Sequence, residues 1–353
     1  MSAVPELTAG RLVAAPGVLT GAAAGFLIAG SGSIGRRHLD NLRQLGVADA
    51  SFYRTGRRDP AAPAPHAPEE FDLTAALERR PRAVLVCNPS AHHLDLALAA
   101  ARAGTHLLVE KPLAHRLEGT DELLREVRKR GLVALVGFQY RFNPALRQVK
   151  RWLEDGALGE VVSARVHWGE YLPCWHPGED WRASYAARAE LGGGAVRTLC
   201  HPFDYLRWLL GEVEWVSAEV SHGTLGLDVE DAAHVTLRFT SGALASVSLD
   251  YLCWPRDHGL EIVGRRGRIL WSDADGAAQL RLVDDHRGTS FASKQDFSRN
   301  CMFLDEMSHF LDCLDGAAKP LCTLEDGIAA LEIAVAALES ARAGRRVRAR
   351  RHS

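Results

Sequence analysis

Lysine is scarce in this chain of 353 residues: five lysines stand beside 37 arginines. Four of the five lie in helix-like or polar segments, and only Lys111 follows a strand-like apolar run. Long apolar runs are absent as well, so no segment of the sequence is suited to cross a bilayer. The first residues also lack the charged and apolar segments of a secretion signal. We therefore expect a cytoplasmic protein that has no membrane partner.

The seven cysteines follow no metal-binding or disulfide pattern. They are odd in number and include neither a CxxC pair nor the Cys/His spacing of a zinc site, so we expect reduced thiols and no metal centre. Cys174 and His176 lie close together, but no fuller ligand set accompanies them. A net charge of −2 argues against a nucleic-acid surface. The basic stretch 342–352 is interpreted as a solvated tail.

The clearest positive signal is a glycine-rich turn between a strand-like run and a helix-compatible segment at 25–45. Its spacing, Gly30-x-Gly32-x-x-Gly35, is that of a dinucleotide-binding turn. The first glycine permits the tight bend, the second admits a pyrophosphate, and the third lets helix and strand pack closely. The phosphates would then meet the helix N-terminus. The predicted cofactor contacts here are Gly30, Ser31, Gly32, Ser33, Ile34 and Gly35.

The tip of the second strand indicates which dinucleotide binds. An NAD-binding chain usually carries a carboxylate about 20 residues after the glycines. Here that place holds Arg54, followed by Thr55, Arg57 and Arg58. Guanidinium groups match a 2′-phosphate and offer nothing to accept the hydrogens of a ribose diol. The segment therefore favours NADP(H) and leaves NAD(H) open; a solvated basic loop is the alternative.

Strand-like and helix-like segments alternate as far as residue 144, which predicts parallel βαβ units. Ligands bind beyond the carboxyl ends of such strands, where Asn88, Lys111 and Tyr140 fall. The proline after Lys111 fixes the turn that holds it. A partly desolvated amine there could hydrogen-bond a substrate oxygen and move its proton, which makes Lys111 the first catalytic candidate. A lysine that merely extends from the sheet rim is the alternative.

The second half is richer in strand patterns that indicate an antiparallel-leaning sheet, and it closes with helix-like segments at 302–315 and 324–343. Another helix opens near His201, with Asp204 one turn later. An imidazole titrates near neutral pH and can transfer the proton that accompanies hydride transfer. His201 is therefore the second catalytic candidate. A structural histidine, and a capping role for Asp204, remain as alternatives.

Several motifs, taken in order, resemble the glucose-fructose oxidoreductase and inositol dehydrogenase (Gfo/Idh/MocA) family over about residues 24–347. They are the glycine turn, Asn88-Pro89-x-x-x-His93, Glu110-Lys111-Pro112, the segment Gly137 to Pro144, Gly192-Gly-Gly194, His201-x-x-Asp204 and Glu306-x-x-x-Phe310. The resemblance implies an α/β fold, with an N-terminal Rossmann domain whose parallel sheet is doubly wound. An α+β domain follows, whose large, mostly antiparallel open sheet often serves in dimerisation. The implied reaction is hydride transfer between NAD(P) and a hydroxyl or ketone carbon of a sugar, nucleotide sugar or cyclitol.

The same resemblance implies further site residues at the matched positions. Those expected to contact the cofactor are Asn88, Pro89, His93, Glu110 and Lys111. Those expected to face the substrate are Tyr140, Arg141, Arg197, Thr198 and Asp204. The chain departs from the family in one respect: many members have an aspartate three or four residues before the histidine, where this chain has Arg197 and Thr198. Arg197 could receive a phosphate or carboxylate of the substrate.

An aromatic and polar loop at 171–182 precedes the glycine triplet. Trp175 and Trp181 could stack on the C–H faces of a sugar ring, while His176 and Arg182 could bind its hydroxyls or a carboxylate. Ordinary packing of the aromatic side chains is the alternative.

The length and a hydrophobic content of 47% allow two domains with sizeable cores. We predict an extension at 1–21, a dinucleotide-binding domain at 22–144, a substrate and oligomerisation domain at 145–323, and a returning helix with a basic tail at 324–353. The predicted function is an NAD(P)-dependent oxidoreductase of a sugar or (amino)cyclitol that forms a homodimer or homotetramer through the C-terminal sheet. Two other functions stay open: a cofactor-binding sensor without turnover, and an epimerase or eliminase that keeps NAD tightly bound.

Overall fold

The computed structural model describes residues 25–56, 67–175, 177–178, 180–285 and 288–349. Its first part alternates short strands with helices. The elements are β1 (Phe26–Ala29), α1 (Ser33–Gln44), β2 (Ala50–Tyr53), β3 (Glu69–Glu70), α2 (Leu73–Glu78), β4 (Ala83–Val86), α3 (His93–Arg102), β5 (His106–Glu110), α4 (Thr120–Arg130) and β6 (Ala134–Gly137).

These six strands form one parallel sheet in the order β3-β2-β1-β4-β5-β6. The run Phe26–Ala29 and the run Ala83–Val86 are apolar on both faces because helices cover both sides of the sheet. The strand order reverses direction at β1 and β4, so a crevice opens between their carboxyl ends. The glycine turn and Asn88 both lie at that crevice.

The second part of the chain begins with a helix that links it to the first. Its elements are α5 (Pro144–Glu154), β7 (Val161–Gly169), α6 (Ala195–Thr198), α7 (His201–Leu210), β8 (Val213–His222), β9 (Glu230–Phe239), β10 (Leu244–Asp250), β11 (Asp257–Gly264), β12 (Gly267–Ser272), β13 (Ala277–Leu282), β14 (Thr289–Ala292), α8 (Arg299–Leu314), α9 (Leu324–Ala343) and β15 (Val347–Arg348). Within the described ranges, no helix combines the length and apolarity needed to cross a bilayer.

The nine strands of this part form a mixed sheet in the order β14-β13-β12-β11-β7-β10-β9-β8-β15. Every neighbouring pair is antiparallel except β7 and β10. On β9, Val235, Leu237 and Phe239 point into the core, while alternate residues are exposed. One face is therefore covered, chiefly by α5 and α9, and the other is open. The predicted fold class is confirmed.

The last two helices join the two sheets. Helix α8 packs on α1 and on the 3-10 turn Gln139–Phe142. Helix α9 packs on β8 and β6, and a Cβ at Gly327 would lie 2.6 Å from a methyl group of Val136. One part of the predicted solvated tail is wrong: Val347–Arg348 pairs with β8, and both Arg346 and Arg348 lie over the ring of Trp215.

Candidate functional site

The glycine turn has the geometry that its spacing predicts. Gly30 has φ +110°, and a Cβ there would lie 2.8 Å from the carbonyl oxygen of Cys87. A Cβ on Gly35 would lie 2.0 Å from the oxygen of Gly30, so helix and strand meet at that point. A Cβ on Gly32 would have no described atom within 4 Å. Helix α1 begins one residue later without a side-chain cap. Its first N–H groups thus face open space, as a pyrophosphate requires.

The tip of β2 lies beside this turn, because the Gly30 N–H donates to the carbonyl of Tyr53 over 3.0 Å. The next residue, Arg54, donates from Nη1 to Oε1 of Glu69 on β3 over 2.7 Å. Glu69 therefore compensates part of the charge of Arg54. Thr55 is exposed at the tip. Arg57 and Arg58 lie outside the described residues.

The loops after β4 and β5 are tied together by His93. Its Nε2 lies 2.7 Å from the carbonyl oxygen of Asn88 and its Nδ1 lies 2.9 Å from that of Pro112. Burial lowers the pKa of His93, and the neutral ring can donate to one of these carbonyls at a time. His93 thus positions the loops that carry Pro89 and Lys111. The Oδ1 of Asn88 is buried without a partner among the described residues, which leaves it free for a ligand.

Glu110 is turned into the protein at the end of β5. Its Oε1 lies 2.7 Å from Nε2 of His38 on α1, and its Oε2 accepts the Lys111 N–H over 3.3 Å. The absence of a side chain at Gly137 leaves room for this carboxylate, which lies 3.2 Å from an added Cβ. Glu110 therefore contacts His38 and the main chain of Lys111, and its negative charge helps to raise the pKa of Lys111.

The ammonium of Lys111 bridges the two parts of the chain. Nζ donates to the carbonyl oxygen of Thr198 over 2.8 Å. Burial by itself lowers the pKa of Lys111, but coupling to the Tyr185 and Cys200 side chains and to the Glu110 carboxylate acts in the opposite direction, and the net effect is a raised pKa. Lys111 is therefore protonated at neutral pH, and it can donate hydrogen bonds or a proton but cannot act as a resting base.

His201 begins α7 and is buried in an aromatic environment. Its ring stacks on Trp168 at 5.2 Å between centroids and meets Phe138 and Tyr140 edge-on at 5.4 and 5.0 Å. Burial, followed by the positive charge of Lys111, holds the pKa of His201 well below its ordinary value. Its Nδ1 has no partner among the described residues. A neutral imidazole and a protonated amine thus share one site.

Comparison with known proteins identifies this arrangement. Residues 24–138 match the domain family described as an oxidoreductase family with an NAD-binding Rossmann fold, and residues 146–270 match the GFO/IDH/MocA C-terminal domain. Myo-inositol 2-dehydrogenase of Thermotoga maritima is 30% identical over 270 residues, which are 73% of this chain and 77% of that protein. The chain belongs to the Gfo/Idh/MocA family.

Other similar proteins are consistent with this family assignment. The 1,5-anhydro-D-fructose reductase of Ensifer adhaerens is 29% identical over 74% of this chain and 78% of its own length. An uncharacterized oxidoreductase of Synechocystis is 31% identical, but the match spans 54% of either chain. The structure of levoglucosan dehydrogenase with NADH and levoglucosan has a TM-score of 0.83 and 21% identity, and the superposition covers 93% of this chain and all of that one. The resemblance predicted from the motifs is confirmed: the chain is an NAD(P)-dependent oxidoreductase, and its named relatives act on sugars and cyclitols.

Arg141 and Asp204 are buried and paired with each other. Arg141 donates from Nε and Nη2 to the Asp204 carboxylate at 2.7 to 3.2 Å, and both side chains are almost fully buried. Arg141 also donates to the carbonyl of Leu321 and to Asp326. These contacts use the polar atoms of both residues, so we reassign them from substrate binding to holding the 139–142 turn, α7 and α9 together.

Thr198 and Arg197 stand three and four residues before His201. The carbonyl of Thr198 receives Lys111, and its side chain lies at Tyr251. Arg197 donates from Nε to the carbonyl of His115 over 3.2 Å, and burial lowers its pKa although the charge of Glu230 opposes this. The polypeptide backbone thus supplies the contact to Lys111, and the arginine turns towards the loop after β5.

The aromatic loop is divided between the core and the surface. Trp175 meets Tyr251 edge-on at 5.7 Å and packs on the core. Trp181 is half-buried and stacks with Arg182, whose guanidinium carbon lies 4.2 Å above the ring. His176 lies outside the described residues. Of the predicted residues of this loop that the structure describes, Trp181 and Arg182 are the more accessible to solvent.

A buried cluster beside His201 has members that sequence reasoning missed. Tyr140 is fully buried, and its hydroxyl accepts from Nη2 of Arg256 over 2.9 Å and lies 3.3 Å from Nδ1 of His258. Arg256 is paired in turn with Glu170 at 2.9 Å and with Asp273. Glu170, Arg256 and Asp273 lie one residue outside β7, β11 and β12, and they meet only through the register of the second sheet. The alternating pattern of those strands was the one available signal.

Proposed function

We propose that this chain interconverts a secondary hydroxyl and a ketone on a sugar, nucleotide sugar or (amino)cyclitol. The observation that carries the proposal is the pairing of a protonated strand-end amine, Lys111, with a buried neutral imidazole, His201, beside a dinucleotide-binding turn. The residues of the turn fit the cofactor, because the space above Gly32 and the uncapped start of α1 accept a pyrophosphate. When bound, the nicotinamide supplies the hydride acceptor or donor.

Lys111 acts on the reacting oxygen of the substrate. An ammonium has three N–H donors, and the Thr198 carbonyl occupies one of them. The remaining two can hold the hydroxyl or ketone oxygen and stabilise negative charge that develops there. Since the raised pKa keeps the amine charged at neutral pH, this stabilisation is available in either direction of the reaction.

His201 exchanges the proton. Because burial and the charge of Lys111 keep the ring neutral, it can accept the hydroxyl proton during oxidation. In the direction of reduction the ring, neutral at rest, first takes up a proton and then donates it to the oxygen. The unpartnered Nδ1 leaves one ring nitrogen available for this exchange.

The test is a set of variants assayed with a panel of sugars and cyclitols. We expect Lys111→Met and His201→Asn each to lower kcat by about 10²–10⁴-fold, because a positioned acid–base group contributes that much. The NADH dissociation constant, measured by fluorescence, should change by less than about threefold, since the turn is untouched. Lys129→Met, on the exposed part of α4, is the matched control. Parent-like kcat in both variants would remove the assignment, and NADH binding without turnover by the parent on any substrate would favour the sensor.

We further propose that NADP(H) is preferred through Arg54 and Thr55 at the tip of β2. Glu69 fixes one end of the Arg54 guanidinium and leaves its other N–H groups for a 2′-phosphate. Arg54→Gln should weaken NADPH binding by about tenfold, or about 1.4 kcal/mol, and leave NADH binding nearly unchanged. Arg79→Gln, which breaks the neighbouring exposed pair with Glu70, is the control. Equal affinity of the parent for both dinucleotides would refute the preference.

We also propose that the open face of the second sheet joins copies of the chain into a homodimer or homotetramer. Its exposed residues are mixed rather than charged throughout, as on β10, where Leu244 and Ser246 are exposed. Cytoplasmic location and the predicted domain boundaries remain predictions.

A further inference from the structure

Trp168 lies against the His201 ring, near the end of β7. In the β7–β11 pair it stands opposite His258, so both buried side chains project from the covered face of the sheet. The indole is nearly parallel to both imidazoles. Its centroid is 5.2 Å from that of His201 with the planes 21° apart, and 4.1 Å from that of His258 with the planes 13° apart. The indole thus offers a flat surface to the ring that exchanges the proton.

The two imidazoles are held in different ways. His258 lies between two phenols, with Nδ1 3.3 Å from the hydroxyl of Tyr140 and Nε2 3.1 Å from that of Tyr205. Nδ1 of His201 has no partner among the described residues, and its ring is held by aromatic contacts. Those contacts are with Phe138, Tyr140 and Trp168. Of these three rings, the indole is the one that stacks face to face, so the orientation of His201 depends chiefly on it.

The indole is itself fixed by Glu170. Nε1 of Trp168 donates to Oε1 of Glu170 over 2.9 Å, and this bond is buried. The main-chain N–H of Glu170 donates to the carbonyl oxygen of Asp250 over 3.0 Å, and Nε of Arg256 lies 2.9 Å from the same Oε1. The carboxylate cannot turn away without losing these partners. A continuous set of contacts therefore leads from the end of β10 through Glu170 and Trp168 to His201.

We propose that Trp168 is a positioning residue: its indole, fixed by Glu170, sets the orientation in which the His201 ring exchanges the proton. The proposal rests on the function proposed above and deepens it. A general base must hold its nitrogen within about 2.6–3.2 Å of the oxygen whose proton it takes. A misplacement of about 1 Å can cost about 10²-fold in rate. A phenylalanine could pack in the same place, but it has no N–H to donate to Glu170.

The indole also keeps water away from the His201 ring. Burial is the largest cause of the lowered pKa of His201. The charged and titratable groups around the ring that lower this pKa further are Lys111, His258, Arg256 and Arg299. Because Trp168→Phe leaves all four in place and reduces only the cover over the ring, we expect it to move the pKa of His201 up towards the ordinary value.

The test compares Trp168→Phe with Trp271→Phe in the full-length protein, on a substrate that the parent turns over. Trp271 is a matched control, because it is buried in the same cluster, where its ring neighbours are Tyr140, Tyr205 and His258. We expect Trp168→Phe to lower kcat by about tenfold or more and to leave KM and the NADH dissociation constant nearly unchanged. The acid limb of kcat for oxidation should move to higher pH. Trp271→Phe should keep the kcat and the acid limb of the parent.

Two variants of Glu170 test the fixing of the indole. Both remove the same charge, but Glu170→Gln keeps an acceptor for the indole N–H and Glu170→Leu does not. We therefore expect kcat to be about tenfold lower in Glu170→Leu than in Glu170→Gln. Histidine NMR of the protein without substrate gives a readout that does not depend on turnover. The His201 signal, assigned by its loss in His201→Asn, should titrate at higher pH in Trp168→Phe than in the parent.

Equal effects of Trp168→Phe and Trp271→Phe overturn the proposal, as does a parent-like kcat or an unshifted His201 titration in Trp168→Phe. Equal kcat in the two Glu170 variants also overturns it, and this comparison decides alone if Trp168→Phe does not fold. Failure of the proposed function has a different signature: the parent turns over no sugar or cyclitol, or His201→Asn keeps the kcat of the parent.

Discussion

Glu306 on α8 is fully buried, and neither of its carboxylate oxygens has a partner among the described residues. Burial, followed by the charges of Glu110 and Asp204, raises its pKa well above the ordinary value of 4.5. A carboxyl whose folded pKa is raised binds its proton more tightly in the native state than in the unfolded state. The contribution of this carboxyl to the stability of the fold is therefore complete below pH 4.5 and is lost as the pH rises.

We accordingly expect Glu306→Gln to raise the free energy of unfolding at about pH 7 by about 1 kcal/mol or more, since one pKa unit corresponds to 1.36 kcal/mol. The gain should shrink as the pH falls towards 4.5. Urea denaturation at several pH values measures both effects, with the exposed Glu78→Gln as control. A loss of stability at about pH 7 would show that the ionised carboxylate has a structural partner.

Single residues were predictable where a local pattern fixes their place. Lys111 could be found because its position is set by a strand end followed by proline. Gly30, Gly32 and Gly35 could be found because the turn leaves no room for a side chain at the first and third and needs open space at the second. Arg256 and His258, the partners of the Tyr140 hydroxyl, could not be found in this way. Their place depends on how β11 pairs within the second sheet, which is a contact between residues far apart in the chain.

Three elements meet at the Arg141 network: the 139–142 turn, α7 through Asp204, and the N-terminal turn of α9 through Asp326. Arg207 on α7 adds a second bond to Asp326 over 2.7 Å. Removal of one partner from a buried ion pair leaves an uncompensated charge, which typically costs about 3–5 kcal/mol. The contacts between these three elements therefore depend on the Arg141 guanidinium.

Arg141→Met should therefore lower the free energy of unfolding by about 3–5 kcal/mol. The double variant Arg141→Met/Asp204→Leu should recover part of this loss, because no lone charge stays buried. Chemical denaturation measures both, and Arg128→Met, which breaks the exposed pair with Glu325, should cost less than about 1 kcal/mol. Equal effects of Arg141→Met and Arg128→Met would contradict the structural role.

Among the elements, those with strong periodicity were predictable. Helix α9 has the predicted bounds, and β1 and α1 follow from an apolar run that leads into the glycine turn. Helix α8 begins at Arg299, three residues before the predicted start, because Ser298 caps it. Strand β15 was missed because its two residues gain strand character only from pairing with β8.

At the scale of the whole molecule, the two sheets differ in what covers them. Helices cover both faces of the parallel sheet, whereas the nine-stranded sheet has one open face. On that face Leu244 of β10 is paired in register with Ser163 of β7, near the middle of the sheet. A partially apolar, extended surface of this kind suits association with a second copy.

Leu244→Asp should therefore lower the molar mass measured by light scattering after gel filtration, because it places a charge inside the proposed contact. Val283→Asp, which lies beyond the end of β13 and is also highly exposed, should leave the mass unchanged. A monomeric parent, or an unchanged mass for Leu244→Asp, would exclude this face as the interface.

The bond from Lys111 to Thr198 has a further consequence. Its acceptor is a main-chain oxygen, so no side-chain replacement at position 198 can delete the tether. Its donor directly follows β5 of the parallel sheet, and its acceptor is the last residue of α6 in the other part. Any hinge motion between the two parts of the chain must lengthen or reorient this hydrogen bond. Opening of the cleft would therefore also change the orientation of the Lys111 ammonium.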